Sequence, residues 1–281
     1  MDVLTITLML LAAVLHASWQ ALVKSGQSAL NVLTGMCLVS AAVAAAALPF
    51  VSVPPRGAWP VLGVSILFHS AYRVALARAY AHGDLSQAFP LARGFVPLFA
   101  TVIAFITLGQ LPAVGQLIGI AAISCGLLAL ALDSLLQGGV RGRLLLAAGA
   151  AGLTVASYSV IDAYGTRVSG DWAAYTAWLV VLDSGSFFLA VWAITGRKLW
   201  SALDAERART VISGLLGIGS FVVFLWALSR GPVGAVSALR ETSILFATLI
   251  GVFLHGDKRS AIGLAAAPMI VIGIAAIAIA R

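Results

Sequence analysis

The chain has 281 residues, of which 61% are hydrophobic and only 10% charged, with a mean hydropathy of +1.05. A soluble domain is nearer a quarter charged, so this is the composition of an integral membrane protein, and it excludes most soluble enzymes, secreted disulfide scaffolds, nucleic-acid readers and coiled coils. The formal net charge of +7, from 17 Lys+Arg against 10 Asp+Glu, fits loop cations that orient a membrane protein better than a nucleic-acid footprint.

A spanning helix takes about 20 residues; ten would use about 200 of the chain and leave about 81 for connections and tails. In chain order, apolar runs predict such helices near residues 3–23, 30–50, 59–79, 85–107 and 111–132. A polar break follows at Asp133, Gly138-Gly139, Arg141 and Arg143. Five more runs lie near 143–163, 172–195, 208–229, 232–254 and 260–280. The breaks carry Pro, Gly and charge, as helix ends do: Pro54-Pro55-Arg56, Gly109 to Pro112, Gly196-Arg197-Lys198 and Gly256-Asp257-Lys258-Arg259. The first run lacks a basic leader and is long for a signal peptide, so it is expected to stay as a span. A closed barrel would need strands of about 10 residues with alternating polarity, which these runs are not. Cys37 and Cys125 fall inside apolar runs, make no metal-binding spacing and read as small buried hydrophobes.

The chain also repeats itself. Residues 92–109 (ARGFVPLFATVIAFITLG) and 239–256 (LRETSILFATLIGVFLHG) align at an offset of 147, which pairs Arg93 with Arg240, Phe99-Ala100-Thr101 with Phe246-Ala247-Thr248, and Gly109 with Gly256. The match continues to Gly126 and Gly273, and Ala17-Ser18-Trp19 in the first run matches Ala156-Ser157-Tyr158 in the sixth. Two five-helix repeats follow, 1–137 and 138–281. Five is odd, so the copies lie in opposite orientations across the bilayer, an arrangement of secondary transporters with the substrate site near the midplane. The predicted fold class is an all-α integral membrane protein of ten transmembrane helices, built as two inverted five-helix repeats around a central cavity. One set of connections carries ten cations (Lys24, Arg78, Arg141, Arg143, Arg197, Lys198, Arg207, Arg209, Lys258, Arg259) and the other four (Arg56, Arg167, Arg230, Arg281). The richer side is expected in the cytoplasm and both termini outside.

A charge at a helix centre costs about 2.5–3.5 kcal/mol on insertion scales, so polar residues within the runs should face partners or a wet cavity. Arg93 and Arg240 hold equivalent positions early in the fourth and ninth runs. They either clamp a substrate carboxylate through the planar guanidinium fork, with Glu241 or Asp183 meeting a substrate ammonium, or act structurally, with Arg240 paired to Glu241. His69, Arg73 and Tyr80 share one face of the third run, with Tyr72 adjacent. That face either binds an anionic or aromatic solute or packs as a buried ion pair against Asp162 or Asp183. Asp183, in the middle of the seventh run, is a candidate for proton or cation coupling, and Asp162 reads as an interfacial helix end. His16, Trp19 and Gln20 share a face of the first run, where Trp19 either stacks on a flat substrate or packs. Tyr158 and Trp226 are further candidates for the apolar wall. Pro90 and Pro97 both fall in the fourth run, either as a hinge or as a static kink. The second copy lacks both.

These segments resemble the drug/metabolite transporter superfamily in the branch built from two EamA domains. The resemblance rests on HASWQALVKSG at 16–26, GDLSQAFPLARG at 83–94, ALRETSILFATLIGVFLHGD at 238–257 and the glycine-rich fifth and tenth runs, and it covers nearly the whole chain. It implies ten helices in inverted halves, a central cavity and alternating access. Members move amino acids, nucleosides, sugar phosphates and other metabolites, and bacterial members are often amino-acid exporters, some for aromatic amino acids. Related small multidrug pumps carry an essential Glu in the first helix. This chain has no acid there beyond Asp2, which argues against a proton-coupled cationic-drug pump. The expected function is export of small metabolites, amino acids foremost, across the inner membrane. The alternatives are nucleosides, phosphorylated metabolites, and organic cations or drugs. The expected partners are a small-molecule substrate and the lipid bilayer, with no nucleic acid, no cofactor or metal, and a monomeric state. No intramembrane enzyme is expected: the Tyr-Asp and Gly-x-Gly-Asp pair of aspartyl proteases is missing, and no His-x4-Asp acyltransferase motif occurs.

Overall fold

The computed structural model describes residues 1–82, 93–138, 142–247 and 261–280, with side chains except those of residues 77, 79–82, 133–138, 143–144 and 261–265. Every regular element among them is helical: α1 (Val3–Lys24), α2 (Ala29–Ala47), α3 (Ala58–His82), α4 (Val96–Leu108), α5 (Val114–Gly138), α6 (Gly142–Ser169), α7 (Trp172–Thr195), α8 (Lys198–Ala205), α9 (Arg207–Leu228), α10 (Val233–Glu241) and α11 (Ala261–Ile279), with a 3₁₀ turn at Leu48–Phe50. Among the described residues, six segments are long and apolar enough to cross a membrane: Val3–Lys24, Ala29–Phe50, Val114–Leu132, Leu145–Ser169, Trp172–Thr195 and Arg207–Leu228. Residues 85–92 of the expected fourth run and 248–254 of the ninth lie outside the described residues.

Local chemistry sets the helix ends. The Asp2 carboxylate accepts from the Thr5 amide at 2.7 Å to open α1, and Asp171 accepts from the amides of Ala173 (2.9 Å) and Ala174 (3.2 Å) to open α7. Gly109, at φ +61°, closes α4 in the left-handed conformation that glycine takes without strain. Helix α8 was not expected, because eight residues containing Lys198 and Asp204 make no apolar run; it lies against the bundle by burying Leu199 and Leu203 beside Phe188. Helix α6 runs past the expected end at 163 to Ser169, which places Asp162 inside a helix.

The interior and exterior are inverted relative to a soluble protein. Leu67, Ile106, Leu146 and Ile194 are 69%, 74%, 77% and 89% exposed, the outer surface of a multi-pass membrane protein, whereas Arg93, Asp162 and Glu241 are buried. Helix α5 packs along α11, α3 along α6, α1 along α9, α2 along α7, and α4 against α10. The α5–α11 seam is made of glycine. A Cβ on Gly119 would come within 2.6 Å of the Gly273 carbonyl, one on Gly273 within 2.7 Å of the Gly119 carbonyl and 2.6 Å of Ile123, and one on Gly126 within 2.8 Å of Ile270 and 3.0 Å of the Ala266 carbonyl. Small residues let membrane helices approach this closely.

Both arginine-bearing segments break at the same place. Residues 93–94 are helical, Phe95 is a turn and α4 follows; α10 stops at Glu241, Thr242 is a turn and residues 243–247 are helical. Phe95 and Thr242 are themselves 147 residues apart. Pro97 sits in the first turn of α4, where its missing N–H leaves nothing unpaired, and the second copy makes the same turn without proline.

Candidate functional site

Three buried acids organise the centre of the bundle. The first is Glu241, the last residue of α10. Arg93 Nη1 donates to its Oε1 at 3.0 Å and its Oε2 at 3.2 Å, and Arg240 reaches Oε1 through Nε (3.4 Å) and Nη2 (3.3 Å). Arg93 Nη2 also donates to the Tyr72 hydroxyl at 2.6 Å. The two arginines thus share one carboxylate, with Arg93 1% and Arg240 2% exposed. Arg240 stacks its guanidinium 3.8 Å over the Phe224 ring and 5.5 Å from the Tyr158 ring, the geometry of a desolvated cation on aromatic faces.

Asp183, in the middle of α7, is the second acid. Arg73 on α3 holds it with both arms, Nη1 to Oδ1 at 2.7 Å and Nη2 to Oδ2, and the guanidinium lies 5.0 Å over Phe187. The acid flagged for coupling is therefore neutralised by a bidentate arginine.

Asp162 is the third, and it is 0% exposed. Its Oδ1 accepts from the Ser65 hydroxyl at 2.5 Å and the Tyr175 hydroxyl at 3.1 Å, and its Oδ2 lies 3.0 Å from His69 Nε2. An interfacial helix end would be wet. Asp162 is dry because α6 continues for two more turns and because α3 and α7 cover it. The His69 ring stacks on Tyr158 with centroids 4.0 Å apart.

A cavity of about 110 Å³ opens between these groups, lined from α1, α2, α3, α6, α7, α9 and α10. Trp19, His69, Tyr72, Arg73, Tyr158, Asp183 and Arg240 of the expected site residues all line it. Arg93 and Glu241 lie behind its wall. At its α1 side, Trp19 Nε1 donates to His16 Nδ1 at 3.3 Å. The Gln20 amide lies 2.6 Å from His16 Nε2 with its Oε1 buried and unpaired. Arg93 Nη2, which can only donate, lies 3.3 Å from the same His16 Nε2.

The remaining expected residues lie elsewhere. Trp226 does not line the cavity: it is two residues beyond Phe224, hence on another face of α9, and Arg230 lies 5.0 Å over its ring. The Tyr80 side chain and Pro90 lie outside the described residues, and Pro97 is buried at the start of α4. Sequence reasoning missed Ser65, Tyr175 and Phe224, and passed over Cys37, which also lines the cavity. Ser65 was within reach of the pattern, one turn before His69 on the same helical face. Tyr175 and Phe224 carry no local signal. Among the described residues, no three His, Cys, Asp or Glu gather to hold a metal ion.

Residues 143–279 match the EamA-like transporter family, which belongs to the drug/metabolite transporter superfamily. No curated protein matches the chain. A solved crystal structure superposes with a TM-score of 0.75 over 97% of this chain and 94% of its own, at 19% identity, a likeness of fold.

Proposed function

We propose that this chain, a carrier of the EamA-like kind, is a secondary transporter that exports small metabolites, amino acids foremost, across the inner membrane by alternating access. The observation that carries this reading is Arg240. Its Nε and Nη2 are engaged by Glu241, while the side chain lines a cavity walled by Trp19, Tyr72 and Tyr158. A guanidinium with a free edge beside aromatic rings suits a carboxylate attached to an apolar body. At about 110 Å³ the cavity is well below the roughly 300–1,000 Å³ of drug-sized pockets, which favours a small amino acid-like solute over multi-ring drugs.

The proposed frame is ten helices in two inverted repeats, residues 1–137 and 138–281. The packing supports it: exchanging α1 with α6, α2 with α7, α3 with α9, α4 with α10 and α5 with α11 turns the α1–α9 pair into α6–α3 and the α2–α9 pair into α7–α3, which also pack, and leaves the α2–α7, α4–α10 and α5–α11 pairs unchanged. The matching turns at Phe95 and Thr242 support it too. Both halves contribute to the cavity, which fits a monomeric carrier. In this frame Arg240 takes the cargo carboxylate, Glu241 and Arg93 hold Arg240 in place, and the aromatic wall contacts the side chain.

The test is counterflow in proteoliposomes loaded with Phe, Thr and Met. Labelled amino acid should accumulate saturably, as a channel would not allow. Arg240→Ala should reduce exchange to the background of empty vesicles while gel filtration shows a folded protein. Undiminished exchange in Arg240→Ala removes that residue from the site, and no exchange by folded wild type overturns the amino-acid reading.

A further inference from the structure

The three buried acids are not met alike. Glu241 faces two arginines and Asp183 one, both in hydrogen-bonding contact. The partners of Asp162 are the Ser65 and Tyr175 hydroxyls and the His69 imidazole. A carboxylate buried without a cation is held at a large desolvation cost unless a positive charge arrives nearby. The imidazole is the group in contact with it that can supply one. Because Asp162 accepts at Oδ2, His69 carries its hydrogen on Nε2, and Nδ1 keeps an open lone pair. Nδ1 has no hydrogen-bond partner among the described residues, it is not a fully buried atom, and the ring lines the cavity. An imidazole anchored on a carboxylate through one nitrogen and open to a cavity through the other is built to take up a proton.

We propose that the His69–Asp162 pair is the proton-binding site of this carrier, where a proton on His69 Nδ1 and the ammonium group of an amino-acid cargo exclude one another, so that export is coupled to proton entry. The inference rests on the amino-acid reading for its cargo. His69 and Arg240 flank the same Tyr158 ring. A zwitterion with its carboxylate on Arg240 therefore presents its ammonium toward Nδ1, which accepts one N–H. A proton arriving from bulk water binds the Nδ1 lone pair, removes that acceptor and places an imidazolium, paired with Asp162, against the ammonium. Cargo leaves; after the cavity reopens on the other side, the proton returns to water and Nδ1 is free again. The other ionisable groups around this point are Tyr72 and Arg73 on α3, Tyr158 on α6, and Tyr175 and Asp183 on α7. Arg240 on α10, His16 on α1 and Cys37 on α2 complete the surround. Asp183 is already matched by Arg73, so the exchangeable proton falls to His69.

Vesicles whose interior is one pH unit more acidic than the medium should accumulate labelled amino acid about tenfold, the limit for one proton per cargo. In His69→Gln and Asp162→Asn, accumulation should be the same with and without the gradient, whatever the exchange rate. Wild-type accumulation indifferent to the gradient, or a gradient response retained in His69→Gln, overturns the proposal. If wild type shows no exchange at equal pH, the cargo reading has failed, and potentiometric titration of the purified protein decides this one without cargo. One proton fewer taken up by His69→Gln across the range in which imidazoles titrate upholds it; equal uptake overturns it.

Discussion

Arg93 and Arg240 are the same residue in two copies of one segment, 147 positions apart, each two residues before a helical turn. Their surroundings nevertheless give them different work. The position after Arg240 is Glu241, and the equivalent position after Arg93 is Gly94. The single acid therefore serves both arginines. Arg93 crosses the interface to reach it, gains Tyr72 as a second partner and is sealed in behind the wall. Arg240 stays beside it, lies flat on Phe224 and keeps an edge in the cavity. The two arginines hold matching places in the sequence, and the one acid beside Arg240 leaves Arg93 off the cavity and Arg240 on its lining.

The comparison breaks most completely at Glu241. Glu241→Gln leaves two buried guanidiniums without their carboxylate, and removing one partner of such a pair costs about 3–5 kcal/mol. The thermal unfolding midpoint in detergent should fall steeply, and an unchanged midpoint would mean that the shared carboxylate is not what holds the centre. Gly94→Ala probes why the first copy has no acid. A Cβ there would meet Leu128 Cδ2 at 2.8 Å and its backbone nitrogen at 3.3 Å, so a loss of about 1–3 kcal/mol is expected from overpacking; full stability in this variant would show that Leu128 gives way. The smallest effect belongs to Pro97→Ala. Since Thr242 makes the equivalent turn without proline, the turn at Phe95 should persist. The loss should be limited to the roughly 0.4–1 kcal/mol that proline contributes through the unfolded chain, readable as a slight midpoint shift with exchange retained. Abolished exchange would return Pro97 to the role of a hinge.

The apolar runs were legible because lipid demands about 20 apolar residues per span, and α1, α7 and α9 begin and end within a few residues of the runs that predict them. The arginine pair was legible because the repeat marks both members. Asp162 was not. The run of apolar residues stops near it, whereas helix α6 continues through Tyr164, Thr166 and Arg167, and what buries the carboxylate comes from Ser65 and Tyr175 on other helices. Periodicity reports which face of a helix is polar, and it is silent on which of several polar faces meet. The Arg73–Asp183 and His69–Asp162 pairings needed that second kind of information. Helix α8 escaped for a simpler reason, since two leucines are too few to make a pattern.

The glycine seam between α5 and α11 has one more consequence. Gly126 rests against Ile270 and Ala266, and Gly273 rests against Ile123 and Gly119. Moving Gly126 forward by 147 positions, and Ile270 and Ala266 back by the same number, converts the first set into the second. A surface whose contacts are returned unchanged when the partners trade places is isologous, the kind that joins the two subunits of a twofold dimer. The chain thus holds, folded within one polypeptide, a joint that two separate half-length molecules would make with each other. A backbone cut between residues 137 and 138 would leave that joint its full set of partners.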